Sequence, residues 1–202
     1  MSFDSAPIAI LVCHPSTPCP TLHRVTVQAG REGSKLALKY RLEGDIDALD
    51  IPPTEPSDRT DGLWQTTCCE AFITVLPQTD SVLKTESVFD RGYYEFNFSP
   101  STAWAAYSFT AYRQGMAMAE LGEPVKIAVC HDAGWLELES VVNLDGLGLP
   151  NEGIWQLGLS AVVQQKSGDI AYWALTHPQG KPDFHHPNSF TFEWVKQLYF
   201  RL

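Results

Sequence analysis

The chain has 202 residues, 44% hydrophobic and 19% charged, which is the composition of a folded globular protein and excludes a disordered or fibrous one. A formal net charge of −10 leaves no basic excess to neutralise phosphates, so non-specific nucleic-acid binding and docking on an anionic membrane are not expected. Six Trp, seven Tyr and ten Phe are spread along the chain, so aromatic surface is available for core and for ligand contact alike.

Five cysteines stand at 13, 19, 68, 69 and 130, an odd count without a regular framework. Cys68 and Cys69 are neighbours in an apolar strand, where adjacent side chains point to opposite faces and cannot easily bridge. The cysteines read as reduced thiols, and a cytoplasmic location is expected. The apolar run Ile8 to Cys13 lacks a cationic flank and is too short for a signal-peptide core, and no stretch has the length of a membrane-spanning helix.

In chain order the sequence predicts strands at Ile8–Cys13, Leu22–Gln28, Lys35–Leu42, Thr67–Leu76, Tyr93–Phe98, Trp104–Arg113, Val125–Val129, Trp135–Val142, Ile154–Val163 and Ile170–Leu175. Each carries β-branched or aromatic residues in short-period patterning. Turn formers such as His131-Asp132-Ala133-Gly134, Asn151-Glu152-Gly153 and Ser167-Gly168-Asp169 separate them. Short strands at this spacing predict an all-β protein, an antiparallel sandwich or barrel. Helical periodicity is weak, and one or two short helices are expected, at Asn143–Leu149 and Glu193–Leu198. Asp45–Asp61 and His177–Ser189 read as irregular. No repeat, linker or composition break divides the chain, so one domain over 1–202 is expected.

Strand alternation sorts the polar residues. Tyr94, Phe96 and Phe98 share one face, with Tyr93, Glu95 and Asn97 on the other. Cys69, Ala71, Ile73 and Val75 oppose Glu70, Phe72 and Thr74, while Leu157, Leu159, Ala161 and Val163 oppose Ser160 and Gln164. Glu70, Glu95 with Asn97, and Gln164 therefore all lie opposite core faces, either as solvated outer-face residues or as the lining of a concave site. Ahead of Glu70, the turn Asp61-Gly62-Leu63-Trp64 presents a tryptophan. A flat aromatic face beside a strong acceptor suits a polyhydroxylated ligand, whose C–H faces stack while its hydroxyls donate.

The loop from His177 to His186 competes for the functional role. His177, Asp183, His185 and His186 are candidate zinc or iron ligands, but their spacing matches no familiar metal motif, and prolines at 178, 182 and 187 fit a rigid connection equally well. Haem would need a His or Met axial ligand, with Met116 and Met118 as candidates in a Gly/Ala stretch that holds no His. Catalytic signatures are missing. Gly158-Leu159-Ser160-Ala161 lacks the second glycine of a nucleophile elbow, and the side chains of Cys130 and His131 diverge in a strand. Glu70 with Glu95 would make a glycosidase pair only at the right separation. The expectation is a non-catalytic binding protein without a cofactor; the alternative is a metal- or haem-binding redox or catalytic domain.

Three blocks carry a resemblance: Gly62-Leu63-Trp64…Glu70-Ala71-Phe72, then Tyr93-Tyr94-Glu95-Phe96-Asn97-Phe98-Ser99-Pro100…Trp104-Ala105-Ala106-Tyr107, then Tyr172-Trp173-Ala174-Leu175…His177-Pro178…Lys181-Pro182-Asp183-Phe184-His185. They resemble the bacterial DOMON-like domains, relatives of the family 9 carbohydrate-binding modules. The resemblance implies a jelly-roll-like β-sandwich with a surface ligand site, in a superfamily whose members bind sugars or haem. In the sugar-binding relatives an early Trp and a Glu soon after it meet the ligand. This implies those roles for Trp64 and Glu70 and a later polar role for Asn97, with Trp173 or Trp104 as a second stacking ring. Glu95, Arg113, Gln164 and His177 complete the expected ligand-binding set, and the expected partner is a small molecule, a carbohydrate or glycoside. A sandwich Trp is more often core than platform, and Trp173 shares its strand face with Ala171 and Leu175.

Overall fold

A computed structural model describes residues 3, 6–76, 88–150 and 154–195, and among these the regular structure is almost wholly strand. The strands are β1 (Ile8–Cys13), β2 (Leu22–Glu32), β3 (Lys35–Gly44), β4 (Cys68–Val75), β5 (Tyr93–Phe98), β6 (Trp104–Phe109), β7 (Ala117–Met118), β8 (Lys126–Asp132), β9 (Trp135–Asn143), β10 (Ile154–Gln164), β11 (Ile170–Ala174) and β12 (Phe192–Val195). Their spatial order is β7-β6-β5-β4-β10-β11-β1-β2-β3-β9-β8, with β12 beside the first half of β10. Neighbours pair antiparallel, as in β2–β3, β4–β5 and β4–β10. Local chemistry supports this: the β2–β3 hairpin closes at the Glu32–Lys35 pair over a two-residue turn, where Gly33 takes φ 60°, a conformation costly for other residues.

The ladder folds into two layers. β1 changes partner partway along, pairing with β2 through Ile8–Leu11 and with β11 through Val12 and Cys13. The layer β1-β2-β3-β9-β8 then faces the layer β7-β6-β5-β4-β10-β11. Between them lie Leu36, Leu38 and Tyr40 of β3, Ala71 and Ile73 of β4, Phe96 and Phe98 of β5, and Leu157 and Leu159 of β10. Each fully buried Leu, Ile or Phe among them contributes about 1.5–3 kcal/mol from removal of apolar surface from water. Tyr94 packs at the edge of the same core, its hydroxyl donating to the Leu147 carbonyl at 2.5 Å.

All ten predicted strands are present, and the two short additions are β7 and β12. The expected short helices are not where periodicity placed them. Asn143–Leu149 ends β9 and continues as a turn, and Glu193–Leu198 begins inside β12, its residues 196–198 lying outside the described residues, as does the predicted turn at 151–153. Single 3-10 turns occur instead at Ile46–Ala48, Leu63–Gln65, Val88–Asp90 and Pro187–Ser189. A pairing edge beside β10 overrides the helical spacing at Glu193, because four ladder positions satisfy its backbone.

The outer face of the second layer is not solvated. Segment 177–190 folds back over it, and Phe184 and Phe190 join Phe72, Tyr93, Phe109 and Val162 in a second apolar cluster. Gly158 makes the approach close, since a Cβ there would lie 3.4 Å from the Ser189 carbonyl oxygen.

Candidate functional site

Strand register assembles the floor of a cleft on that covered face. One row across the sheet reads Ser160, Glu70, Asn97, Ala105, and the next reads Gly158, Phe72, Glu95, Tyr107. Glu70 and Glu95 are thus diagonal neighbours on adjacent strands, aimed to the same side. Both are buried, at 3% and 4% exposure, under segment 177–190 rather than between the layers. The cleft above them has a volume of about 580 Å³, and its walls include Trp64, Arg113, Met116, Tyr172, Lys181 and His185.

These carboxylates have few protein donors. Among the described residues, Glu70 receives only the Ser160 hydroxyl, at a long 3.5 Å. Glu95 receives the Asn97 amide at 2.8 Å, and Asn97 in turn accepts a weak bond from the Cys68 thiol at 3.7 Å. Burial, and then the charge of Glu95, hold the Glu70 carboxyl well above its ordinary range. Burial also raises Glu95, opposed by the Asn97 amide and the Arg113 charge. Two carboxylates sharing a low-dielectric floor hold one negative charge more readily than two. The floor can therefore present one hydrogen-bond donor beside several acceptors.

One lip is the segment before β4. Gly62 at φ 79° starts the turn Leu63–Gln65, which lifts Trp64 to 38% exposure at the cleft edge. The Trp64 ring meets Tyr107 edge-on, centroids 5.8 Å apart, and the Tyr107 hydroxyl donates to Asp61 at 2.5 Å. Asp61 also pairs with Arg59 at 3.0 Å within the segment, and its bond from Tyr107 ties the segment to β6.

The opposite wall is the histidine loop. Asp183 accepts from Arg113 at 2.7 Å, from the Tyr112 hydroxyl, and from the backbone N–H of His185 at 3.2 Å. Arg113 holds φ 54°, a strained value for a non-glycine residue, and its backbone N–H donates to the Tyr93 hydroxyl at 3.2 Å. That hydroxyl lies 2.8 Å from His185 Nδ1. Burial, and next the Arg113 charge, push His185 down to about 4, so its ring is neutral near neutrality. Tyr93, raised to about 12 by burial, keeps its proton and donates it to Nδ1. The imidazole hydrogen then sits on Nε2, 3.8 Å from Glu95 Oε2 and facing the cleft.

The structure brings Trp64, Glu70, Glu95 and Arg113 together around this cleft, with Asn97 beneath it as the amide that orients Glu95. Four residues offered for the site lie elsewhere. Trp173 is 6% exposed within the inter-layer core, as its alternation with Ala171 implies, and Trp104 is likewise buried in that core. Gln164 lies at the end of β10, two positions beyond Val162, with its backbone N–H bonded to Thr67 at 3.1 Å. His177 turns to β1, its Nε2 2.8 Å from the Val12 carbonyl and its ring edge-on to His14. The suggested metal set disperses for the same reason. His186 Nδ1 accepts from Asn188, Asp183 serves Arg113 and Tyr112, and no group of three metal-ligating side chains occurs among the described residues. Of the methionines weighed as haem ligands, Met116 rims the cleft, and both it and Met118 are exposed. The sequence reading expects His185 to fix its loop or rim the pocket, and it lies at the cleft wall. Sequence reasoning missed Tyr93, Tyr172 and Lys181 as cleft or supporting residues. Only the Tyr93 alternation with Glu95 signalled any of them.

No family model and no curated protein matches the chain. Among the solved structures that share its fold, three span most of the chain. A candidate carbohydrate-binding protein from Bacteroides uniformis ATCC 8492 superposes with a TM-score of 0.64 at 15% identity, covering 93% of this chain and 85% of that one. A family 9 carbohydrate-binding module from Caldicellulosiruptor kristjanssonii in complex with cellotriose gives 0.50 at 11% identity, over 88% and 76%. The module from that organism in complex with glucose gives 0.51 at 10% identity, over 99% and 90%. The chain is thus an all-β protein that shares the fold of the family 9 carbohydrate-binding modules.

Proposed function

We propose that the protein binds a carbohydrate or glycoside, non-covalently, in the cleft above Glu70 and Glu95, as a DOMON-like relative of the family 9 modules. The observation that carries this reading is the pairing of two buried, donor-poor carboxylates with the exposed Trp64 ring at the lip. A sugar supplies the hydroxyl donors that the floor lacks, and its C–H face covers the indole. Similarity to structures seen with glucose and cellotriose supports the ligand class. Five free cysteines, with Cys130 exposed, support a reducing compartment and hence an intracellular sugar or nucleotide-sugar.

The test is a calorimetric screen of glucose, cellotriose, glycosides and nucleotide-sugars against the purified protein and its Glu70→Gln variant. Saturable sugar binding that the variant loses supports the cleft, and binding unchanged in the variant places the site elsewhere. Elemental analysis after dialysis against chelator, a visible spectrum, and an assay for released reducing sugar address the metal, haem and hydrolytic alternatives on the same sample.

A further inference from the structure

His185 is also a wall of a second, smaller cavity on its other side, about 170 Å³ in volume and lined by Arg91, Tyr112, Gln156 and Asn188. The space suits a group the size of a few water molecules, each taking about 30 Å³ of liquid volume. The Arg91 Nε is buried and meets no acceptor. Among the described residues Arg59 also has a buried Nε without an acceptor, but its Nη2 reaches Asp61, whereas no ion pair is made by Arg91. Arg24, Arg41, Arg59 and Arg113 each reach a carboxylate, and Arg31 bonds the Gly33 carbonyl and covers the Trp155 ring. In a chain with 24 acidic and 14 basic residues carboxylates are plentiful, yet among the described residues none meets Arg91. A guanidinium N–H withdrawn from water without an acceptor is costly and is relieved by an anion that enters the cavity. The side chain of Asn188 has no partner among the described residues, and Gln156 spends one amide hydrogen on Glu193 at 3.3 Å, so two amides can share the load.

We propose that this cavity is an anion site, taking a carboxylate- or phosphate-sized group on the planar fork of Arg91. The proposal stands on Arg91 and its cavity and is independent of what fills the cleft. The anion is either free or a substituent of a larger ligand, because the two spaces are separated by the imidazole of His185.

The side-chain Nε–H resonance of Arg91 reads the site directly in the intact protein. Titration with inorganic phosphate or acetate is expected to shift it saturably, while chloride and glucose leave it in place. Calorimetry with phosphate should show affinity falling by about tenfold or more in Arg91→Gln, the loss expected for a charge-assisted bond. Glucose 6-phosphate separates the two sources: tighter binding than phosphate marks a ligand spanning both spaces, equal binding marks a free anion, and both need Arg91. A linear response matching that of chloride overturns the proposal. So does phosphate binding that survives Arg91→Gln and disappears in Lys181→Gln, which would put the anion at the cleft rim.

Discussion

The hydroxyl of Tyr40, on β3 of one layer, donates to the backbone carbonyl of Glu70, on β4 of the other, at 2.6 Å. Tyr40 is fully buried, and burial holds its phenol well above the ordinary range, so the bond keeps its proton at any working pH. The core thereby grips the very residue whose side chain faces the cleft. Tyr40→Phe should cost about 1–2 kcal/mol, since it strips a buried acceptor of a partner while leaving the ring in place. Urea unfolding measures this as a lower midpoint at unchanged slope, and an unaltered midpoint would show the bond to be energetically idle.

Trp64 is expected to carry ligand affinity and little stability. Its ring is 38% exposed, and among the described residues its one ring contact is edge-on with Tyr107. Aromatic stacking adds about 0.5–1.5 kcal/mol beyond area burial, so Trp64→Ala should weaken sugar binding by roughly threefold to tenfold or more. Lys39→Ala, in the ion-paired cluster with Glu137 and Glu139 on the other layer, should leave affinity unchanged. Equal affinities for both variants and wild type would remove Trp64 from the site.

Glu70 trades stability for an acceptor. Because its folded carboxyl is raised above the ordinary 4.5, the folded state holds a proton that the unfolded state releases. Its stabilising contribution is complete below pH 4.5 and is lost as pH rises through the higher folded value. Glu70→Gln should therefore be more stable than wild type at neutral pH, by about 1–3 kcal/mol, with the difference vanishing in acid. Thermal melts across pH check this, and a variant less stable at neutrality would show that the carboxylate is better satisfied than its contacts indicate.

His185 works in the opposite direction. Its folded value of about 4 lies below the ordinary 6.5, so folding expels a proton; the contribution is whole above pH 6.5 and fades as pH falls through 4. His185→Asn should be less stable than wild type at neutrality and should lose less stability on acidification between those two values. Parallel melting curves for the two proteins over that window would mean that the imidazole titrates as freely in the fold as in solution.

Much of this was legible in the sequence, and the reason is local. Alternation along β4, β5 and β10 requires Glu70, Glu95 and Asn97 to oppose Ile73, Phe96 and Leu157, and register then makes them neighbours. What no pattern revealed is that their face is covered. That depends on Phe184 and Phe190 docking on Phe72 and Tyr93, contacts across some hundred positions that leave no periodicity behind. His185 was legible as a titratable group in a proline-bounded loop but not as the partner of Tyr93, because residues 93 and 185 are joined only by the fold. Helical spacing at Glu193 misled for the converse reason: a local preference yielded to the open edge of β10.

The change of partner within β1 has a consequence for synthesis. Cys13 pairs with Trp173, so the seam joining the two layers is stitched by residues made at widely separated times. At ribosomal speeds the interval is on the order of ten seconds. During it Ile8, Ile10 and Val12, already exposed in the finished fold, lie on a strand with one edge unpaired. The nascent chain thus holds Val12 and Cys13 without their strand partners, open to a chaperone or a second nascent chain, until Ile170–Ala174 emerges.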